Sequence, residues 1–406
     1  MSEPLRGSSN LHDRSASAIE TTPGGPQFST DHFALKLGLF YAAYFLFGGI
    51  QLPFFPLWLE AKGLDARSIG FVIAAPMIVR IFIVPIVAHQ ADRHRALKTT
   101  LVIGSIVATL AMTVAGLVES QVAIVIAFML AAVAVAPTLS ISDAYALVGL
   151  GARGRAYGPV RLWGSVAFIA GNVGAGFLLE LIAPGHLVWL IVGALCTSVI
   201  AAVMLVPLES GRPAVSEQKP SPRLLWRNPV FLAVAAAAAL IQGSHALFYG
   251  FSTLQWRAAG FDGTTIGLLW GLGVLAEIVL FAFSARLPAV LGPVVLLAIG
   301  AVGGLIRWTA MAFDPPVALL PALQVLHALS FGASHLGAMA FLARAVPRGL
   351  AASAQGTVST LSGIVMAAAT GLSGLLYAAS GSLAYLAMAA MALAGLGCAL
   401  LARRLG

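Results

Sequence analysis

"KGLDARSIGFVIA" (Lys62–Ala74) and "AGFDGTTIGLLWG" (Ala259–Gly271) write one turn twice. Gly63, Asp65, Ile69 and Gly70 recur as Gly260, Asp262, Ile266 and Gly267, each 197 positions further along a chain of 406 residues. Gly-x-Asp is good turn chemistry in any protein. The shared shift, which extends to the Ile-Gly opening the next apolar run, points instead to an internal repeat half the chain long.

Composition says what is repeated. Hydrophobic residues make up 59% of the chain and charged residues 9%. A soluble domain carries roughly 25% charged residues, so this chain cannot cover itself with a water-facing surface. Its apolar runs reach about 20 residues, enough for a helix to cross a hydrocarbon core of roughly 30 Å. The sequence therefore predicts an all-α polytopic membrane protein with the lipid bilayer as its surroundings. Twelve spans are expected, at about 36–59, 68–89, 99–117, 121–148, 158–182, 187–207, 229–254, 264–286, 291–313, 317–343, 351–378 and 382–402. Residues 1–32 read as a disordered cytoplasmic tail and 209–228 as a central cytoplasmic loop. They frame two six-helix bundles, 33–208 and 229–406. No signal peptide is read, and the first span is expected to direct insertion.

Lys and Arg collect in cytoplasmic loops. With both termini cytoplasmic, eighteen of the 23 basic residues fall on that side and only Lys62, Arg67 and Arg257 on the other. Arg80 and Arg307 are left inside spans. The net charge of +8 is scattered among loops, so no nucleic-acid face is expected. Cys196 and Cys398 both lie in apolar spans and read as core fillers. Two parallel halves imply alternating access around a site at the midplane.

The loop "AHQADRHRALK" (Ala88–Lys98) resembles the loop motif of the major facilitator superfamily, although Ala88 and Arg95 replace its glycines. That resemblance implies gating roles for Asp92, near the start of span three, and for Arg93 and Arg95, in contact with neighbouring helix ends. "SDAYAL" with "AYGPVRLWGSVAFIAG", and "LIRW" with "LQVLHALSFGASHLGAMAF", are similar to the phenylpropionate-permease-like branch and, more distantly, to lactose permease. The likeness implies substrate contact for Asp143 and Arg161, and coupling roles for Arg307 and His327. The carboxylate that the symporters place three residues past the histidine is Ser330 here. The depth of Asp143 and Arg161 equally suits an inner gate.

A charge at the bilayer centre costs about 2.5–3.5 kcal/mol on insertion scales, so it persists where a partner or cavity receives it. Glu277 lies ten residues after Gly267, and Arg80 ten after Gly70. The repeat thus sets an acid and a base at equivalent depths. Glu277 is the expected proton carrier, with Arg307 as its partner; a fixed pair with Arg307 or Arg80 is the structural alternative, and Arg80 is grouped with the gate. Gln51, Asn172, Gln242, His245, Trp270 and Gln324 complete the expected substrate contacts. No metal site is expected, since no cluster has ligand spacing.

These readings converge on a proton-coupled importer of a small polar or amphipathic solute: a sugar, a nucleoside or an aromatic carboxylate. It is expected in a bacterial-type inner membrane, as a monomer, with protons as partner and no cofactor. An exporter, antiporter or uncoupled facilitator of the same fold is the alternative. A membrane-embedded enzyme or sensor is the remote alternative, for which the sequence offers no convergent catalytic set.

Overall fold

A computed structural model describes residues 32–208, 223–288, 290–347 and 350–405. The expected tail, up to position 31, and positions 209–222 of the central loop lie outside these residues. Every regular element among the described residues is helical. The α-helices are α1 (Phe33–Ala61), α2 (Ala66–Arg93), α3 (Leu97–Leu117), α4 (Gln121–Val135), α5 (Thr138–Gly151), α6 (Tyr157–Leu178), α7 (Leu187–Met204) and α8 (Arg223–Trp226). They continue with α9 (Pro229–Gly243), α10 (Ala246–Ala258), α11 (Gly263–Phe283), α12 (Pro293–Ala312), α13 (Leu320–Val325), α14 (Ser334–Ala345), α15 (Ala351–Ser380) and α16 (Tyr385–Leu405). Ten helical stretches among the described residues are long and apolar enough to cross a membrane.

The repeated turn now has a physical explanation. Gly63 and Gly260 take φ of +83° and +88°, the left-handed region that a Cβ disfavours. Asp65 and Asp262 then cap α2 and α11, accepting from the backbone N–H of Ser68 at 2.8 Å and of Thr265 at 2.6 Å. Those hydrogen bonds hold both carboxyls below their ordinary values, so the caps stay charged at neutral pH. The two copies start the same helix in the same way.

Three expected spans are broken inside. Span four divides into α4 and α5 at Ala136–Pro137, where the proline ring cannot continue the ladder. Span seven divides at Ser244–His245, between α9 and α10. Span ten contains α13, a π-helical segment Ala328–Ala333, and α14. The expected central loop ends in the short helix α8 rather than running irregularly to 228.

Large apolar side chains such as Phe82, Leu117, Val122 and Leu181 are exposed around the molecule. A surface of that kind suits lipid rather than water. Cys196 is exposed too, so it is not the core filler expected, whereas Cys398 is half-buried. Helices of the first half meet the second at two tight crossings, α2 on α15 and α6 on α11. Glycines make both possible. A Cβ on Gly70 would stand 2.8 Å from the Cα of Gly374, and one on Gly267 would overlap the Asn172 carbonyl. Both crossings lie at the end of the bundle that carries the Gly63 and Gly260 turns.

Candidate functional site

The breaks in the second half assemble a buried polar chain. Arg307, on α12, is 1% exposed. Its Nη2 donates to Gln324 Oε1 at 2.6 Å, and its Nη1 stands 3.1 Å from His327 Nδ1. A guanidinium only donates, so Nδ1 of His327 is the acceptor and the ring proton sits on Nε2. That Nε2 stands 3.5 Å from Glu277 Oε2 on α11. The imidazole therefore intervenes between the arginine and the carboxylate. The direct Glu277–Arg307 and Glu277–Arg80 pairs weighed from the sequence are not formed; the turn of α13 into the π segment aims His327 into the gap.

His245 reaches the same cluster from the α9–α10 break. Its Nδ1 lies 3.1 Å from the Ile241 carbonyl and 3.2 Å from that of Gln242. Carbonyls only accept, so Nδ1 carries the proton and Nε2 is left to accept from the Ser330 hydroxyl at 3.1 Å. Gln242 donates to the Ser334 hydroxyl at 2.9 Å, tying α9 to the first residue of α14. Ser330 thus serves the network as a hydrogen-bond partner of a histidine, where the symporters carry an acid. Trp308 closes the group by donating to Ser244 at 2.9 Å. Of the residues singled out from sequence, Glu277, Arg307, His327, Gln324, His245 and Gln242 come together here. Trp270 lies nearby in an aromatic stack with Tyr249, ring centroids 5.9 Å apart, and its Nε1 has no partner.

Tyr249, stacked on His245 with centroids 5.6 Å apart, links this chain to a cavity of about 380 Å³, within the range of small-molecule sites, which none of Glu277, Arg307 and His327 lines. Its walls come mostly from α1, α2 and α4, with Tyr249, Gly250 and Thr370 contributed by the second half. Aromatic and aliphatic side chains dominate: Phe45, Phe47, Phe55, Phe128, Phe168, Met77 and Met112. Gln51, an expected substrate contact, and Arg80, grouped from the sequence with the gate, both line it.

The other expected contacts go elsewhere. Asp143 does not pair with Arg161. Its Oδ1 accepts from the hydroxyls of Tyr41 at 2.6 Å and Tyr157 at 2.8 Å. Arg161 instead lies over the rings of Phe45, at 3.9 Å, and Tyr41, at 5.5 Å. Two phenols satisfy the carboxylate and two ring faces hold the cation, and neither residue lines the cavity. Asp92 lies in the last turn of α2, not at the start of α3. With Arg93 and Arg95 it is exposed, and among the described residues none of the three side chains makes a hydrogen bond or ion pair.

Asn172 is fully buried at the α6–α11 crossing, with neither side-chain polar atom partnered. Each orphaned group costs about 1–3 kcal/mol, so this conformation carries an unmet cost at its tightest seam. Asn172→Leu keeps the branched outline without the polar atoms. It is expected to raise the thermal unfolding midpoint of the purified protein while slowing transport; an unchanged or lower midpoint would remove the orphan as a source of instability. Near the same seam sits a residue the sequence reading passed over. Glu180 accepts from the Gly263 N–H at 2.5 Å and stands 3.6 Å from Arg257, joining α6 to the start of α11. An acid near the end of one apolar run, with a helix start carrying glycine in the other half, is a signal too common to be read alone.

A family model described as the MFS_1 like family matches residues 34–387. A probable 3-phenylpropionic acid transporter of Escherichia coli strain K12 is 32% identical over 320 residues, covering 76% of this chain and 81% of that protein. A maltose permease of Geobacillus stearothermophilus is 26% identical over 310 residues, 76% of this chain and 78% of the permease. In the crystal structure of the nucleoside transporter NupG the same fold superposes with a TM-score of 0.77 at 17% identity, over 91% of this chain and 98% of that one. A bacterial homologue of the human lysosomal transporter Spinster gives 0.72 at 15%, over 94% and 98%. At such identities the likeness speaks for the fold alone. With an intramembrane polar chain beside an aromatic cavity, the chain belongs to the MFS_1 like family of the major facilitator superfamily and is a membrane transporter of a small solute, not an enzyme.

Proposed function

We propose that this transporter imports a small amphipathic solute together with protons, and that an aromatic monocarboxylate suits it best. The observation that carries the reading is the Glu277–His327–Arg307 chain beside the aromatic cavity. Glu277 is held by a neutral imidazole and not locked directly onto the guanidinium, which leaves the carboxyl free to take up and release a proton. Sugar recognition would call for many donors and acceptors on the wall. Here rings prevail, and the 3-phenylpropionic acid transporter is the relative with the higher identity.

In this reading the chain crosses an inner membrane twelve times as two six-helix bundles, 33–208 and 229–406, with both termini in the cytoplasm. Support comes from the Lys and Arg distribution. It comes also from the apolar stretch Ser353–Leu405, which at 53 residues is too long for one crossing and contains the turn at Gly381, φ +57°. The glycine-sealed end is then the outer one, and the conformation is closed to the outside. The proton gradient supplies the energy and no cofactor is required; the protein acts as a monomer.

The test is transport by the full-length protein in sealed vesicles under an imposed proton gradient, with 3-phenylpropanoate, maltose and uridine as solutes and protein-free vesicles as the blank. Proton-driven uptake of 3-phenylpropanoate with matching proton entry is expected, and little uptake of the other two. Uptake indifferent to the gradient would identify a facilitator, and proton-driven exit an exporter. Either result overturns import by symport.

A further inference from the structure

We propose that Arg80 is the anion anchor of the cavity: its guanidinium, with the Tyr44 hydroxyl, takes the carboxylate of the solute, whose ring lies toward Phe55 and Phe128. The assignment rests on the aromatic-monocarboxylate reading above and goes beyond it by naming the residue and the orientation. Three arginines could serve an anion near the midplane. Arg307 is engaged by Gln324 and His327 and lies over the rings of Phe248 and Trp308. Arg161 is sandwiched against Phe45 and Tyr41 and does not line the cavity. Arg80 alone of the three lines it, and among the described residues it makes no hydrogen bond, ion pair or ring contact. Arg80 is exposed, so no group of the protein covers its charge and a carboxylate entering the cavity can reach it.

The arrangement of the wall supplies the orientation. On α2 the cavity-facing residues are Ile73, Pro76, Met77 and Arg80, the i, i+3, i+4, i+7 stripe of one helix face. They extend about 10 Å along the axis. On α1, which runs the opposite way, the stripe from Tyr44 through Gln51 to Phe55 faces the same space. Tyr44 therefore lies level with Arg80, and Phe55 level with Ile73. Phe55 stacks on Phe128 with centroids 4.3 Å apart, and Met112 lines the cavity with them. One end thus offers a planar five-donor cation and a phenol, and the other a rim of rings. A guanidinium binds a carboxylate through two parallel hydrogen bonds, and a ring–chain–carboxylate solute matches both ends at once.

Equilibrium binding to the purified full-length protein tests this, with 3-phenylpropanoate and its neutral analogue 3-phenylpropanamide as probes. Losing a charge-assisted hydrogen-bonded pair corresponds to about ten- to hundredfold in affinity. The wild type is expected to prefer the acid over the amide by that factor. Arg80→Gln is expected to abolish the preference while binding the amide as before; Arg161→Gln is expected to keep it. A preference retained in Arg80→Gln overturns the assignment, and so does one lost only in Arg161→Gln. Should Arg80→Gln bind neither probe, Arg80→Lys decides, because a point charge cannot reproduce the fork: a full preference there also overturns it. If the wild type binds neither probe but does bind maltose or uridine, the monocarboxylate reading itself has failed, and the anchor falls with it.

Discussion

Glu277→Gln is expected to abolish proton-driven accumulation while leaving solute exchange intact. Coupling one proton to one solute lets each unit of pH gradient support about tenfold accumulation, since both correspond to about 1.4 kcal/mol. Without a carboxyl to carry the proton, the ratio should fall to unity whatever the gradient. The substitution is structurally mild. Glutamine keeps an acceptor oxygen for the His327 Nε2–H that stands 3.5 Å from the carboxylate in the native protein, and the Arg307–His327 contact at 3.1 Å is untouched. The measurement compares net uptake with exchange of labelled 3-phenylpropanoate in the same vesicles. Undiminished accumulation would take Glu277 out of the coupling role; loss of exchange as well would make it a structural or binding residue. Arg307 occupies Nδ1 of His327, so the ring offers no straight proton path here, and the proposed symport assigns the proton to the carboxyl.

Gly267→Val should be nearly as severe, by a different route. A Cβ at this position overlaps the Asn172 backbone carbonyl and comes within 3.1 Å of the Val173 Cα. Both obstacles are backbone, so neither can rotate away. Overpacking of this kind costs about 1–3 kcal/mol, which shifts the population of the sealed conformation by up to about a hundredfold. The expected result is a transport rate lower by an order of magnitude or more, with the α6–α11 seam held open. The seam can be read directly, by labelling Val173→Cys with a membrane-impermeant maleimide in a background lacking Cys196 and Cys398. Labelling should rise in Gly267→Val and lie between the two in Gly267→Ala. Native rates together with unchanged labelling would show that close approach here is not required for the cycle.

The apolar spans were legible because crossing a membrane demands length and composition that no soluble segment shares. The turns at Gly63–Asp65 and Gly260–Asp262 were legible because a left-handed glycine followed by a capping carboxylate is local chemistry, complete within a few residues. Glu277, Arg307 and His327 could be named because an ionisable group in an apolar span is conspicuous by itself. Their connections were not legible. The paired charges Asp143 and Arg161 invited an ion pair, yet Tyr41 and Tyr157 satisfy the acid and aromatic faces hold the base. Arg80 was grouped with the gate, and its place on the cavity wall was set by the packing of α2 against α1 and α4. Asn172 looked like a substrate contact and is sealed in the seam.

What the sequence determined by itself was the medium, the helices and the twofold repeat, since each follows from the hydropathy and turn chemistry of contiguous residues. Only the tertiary structure decided which side chain answers which. The breaks at Ala136–Pro137 and Ser244–His245 and the π segment at Ala328–Ala333 rotate short stretches of helix relative to an ideal period. A helix rotated out of its expected phase presents different residues to its neighbours, and partners distant in the chain are chosen by that phase.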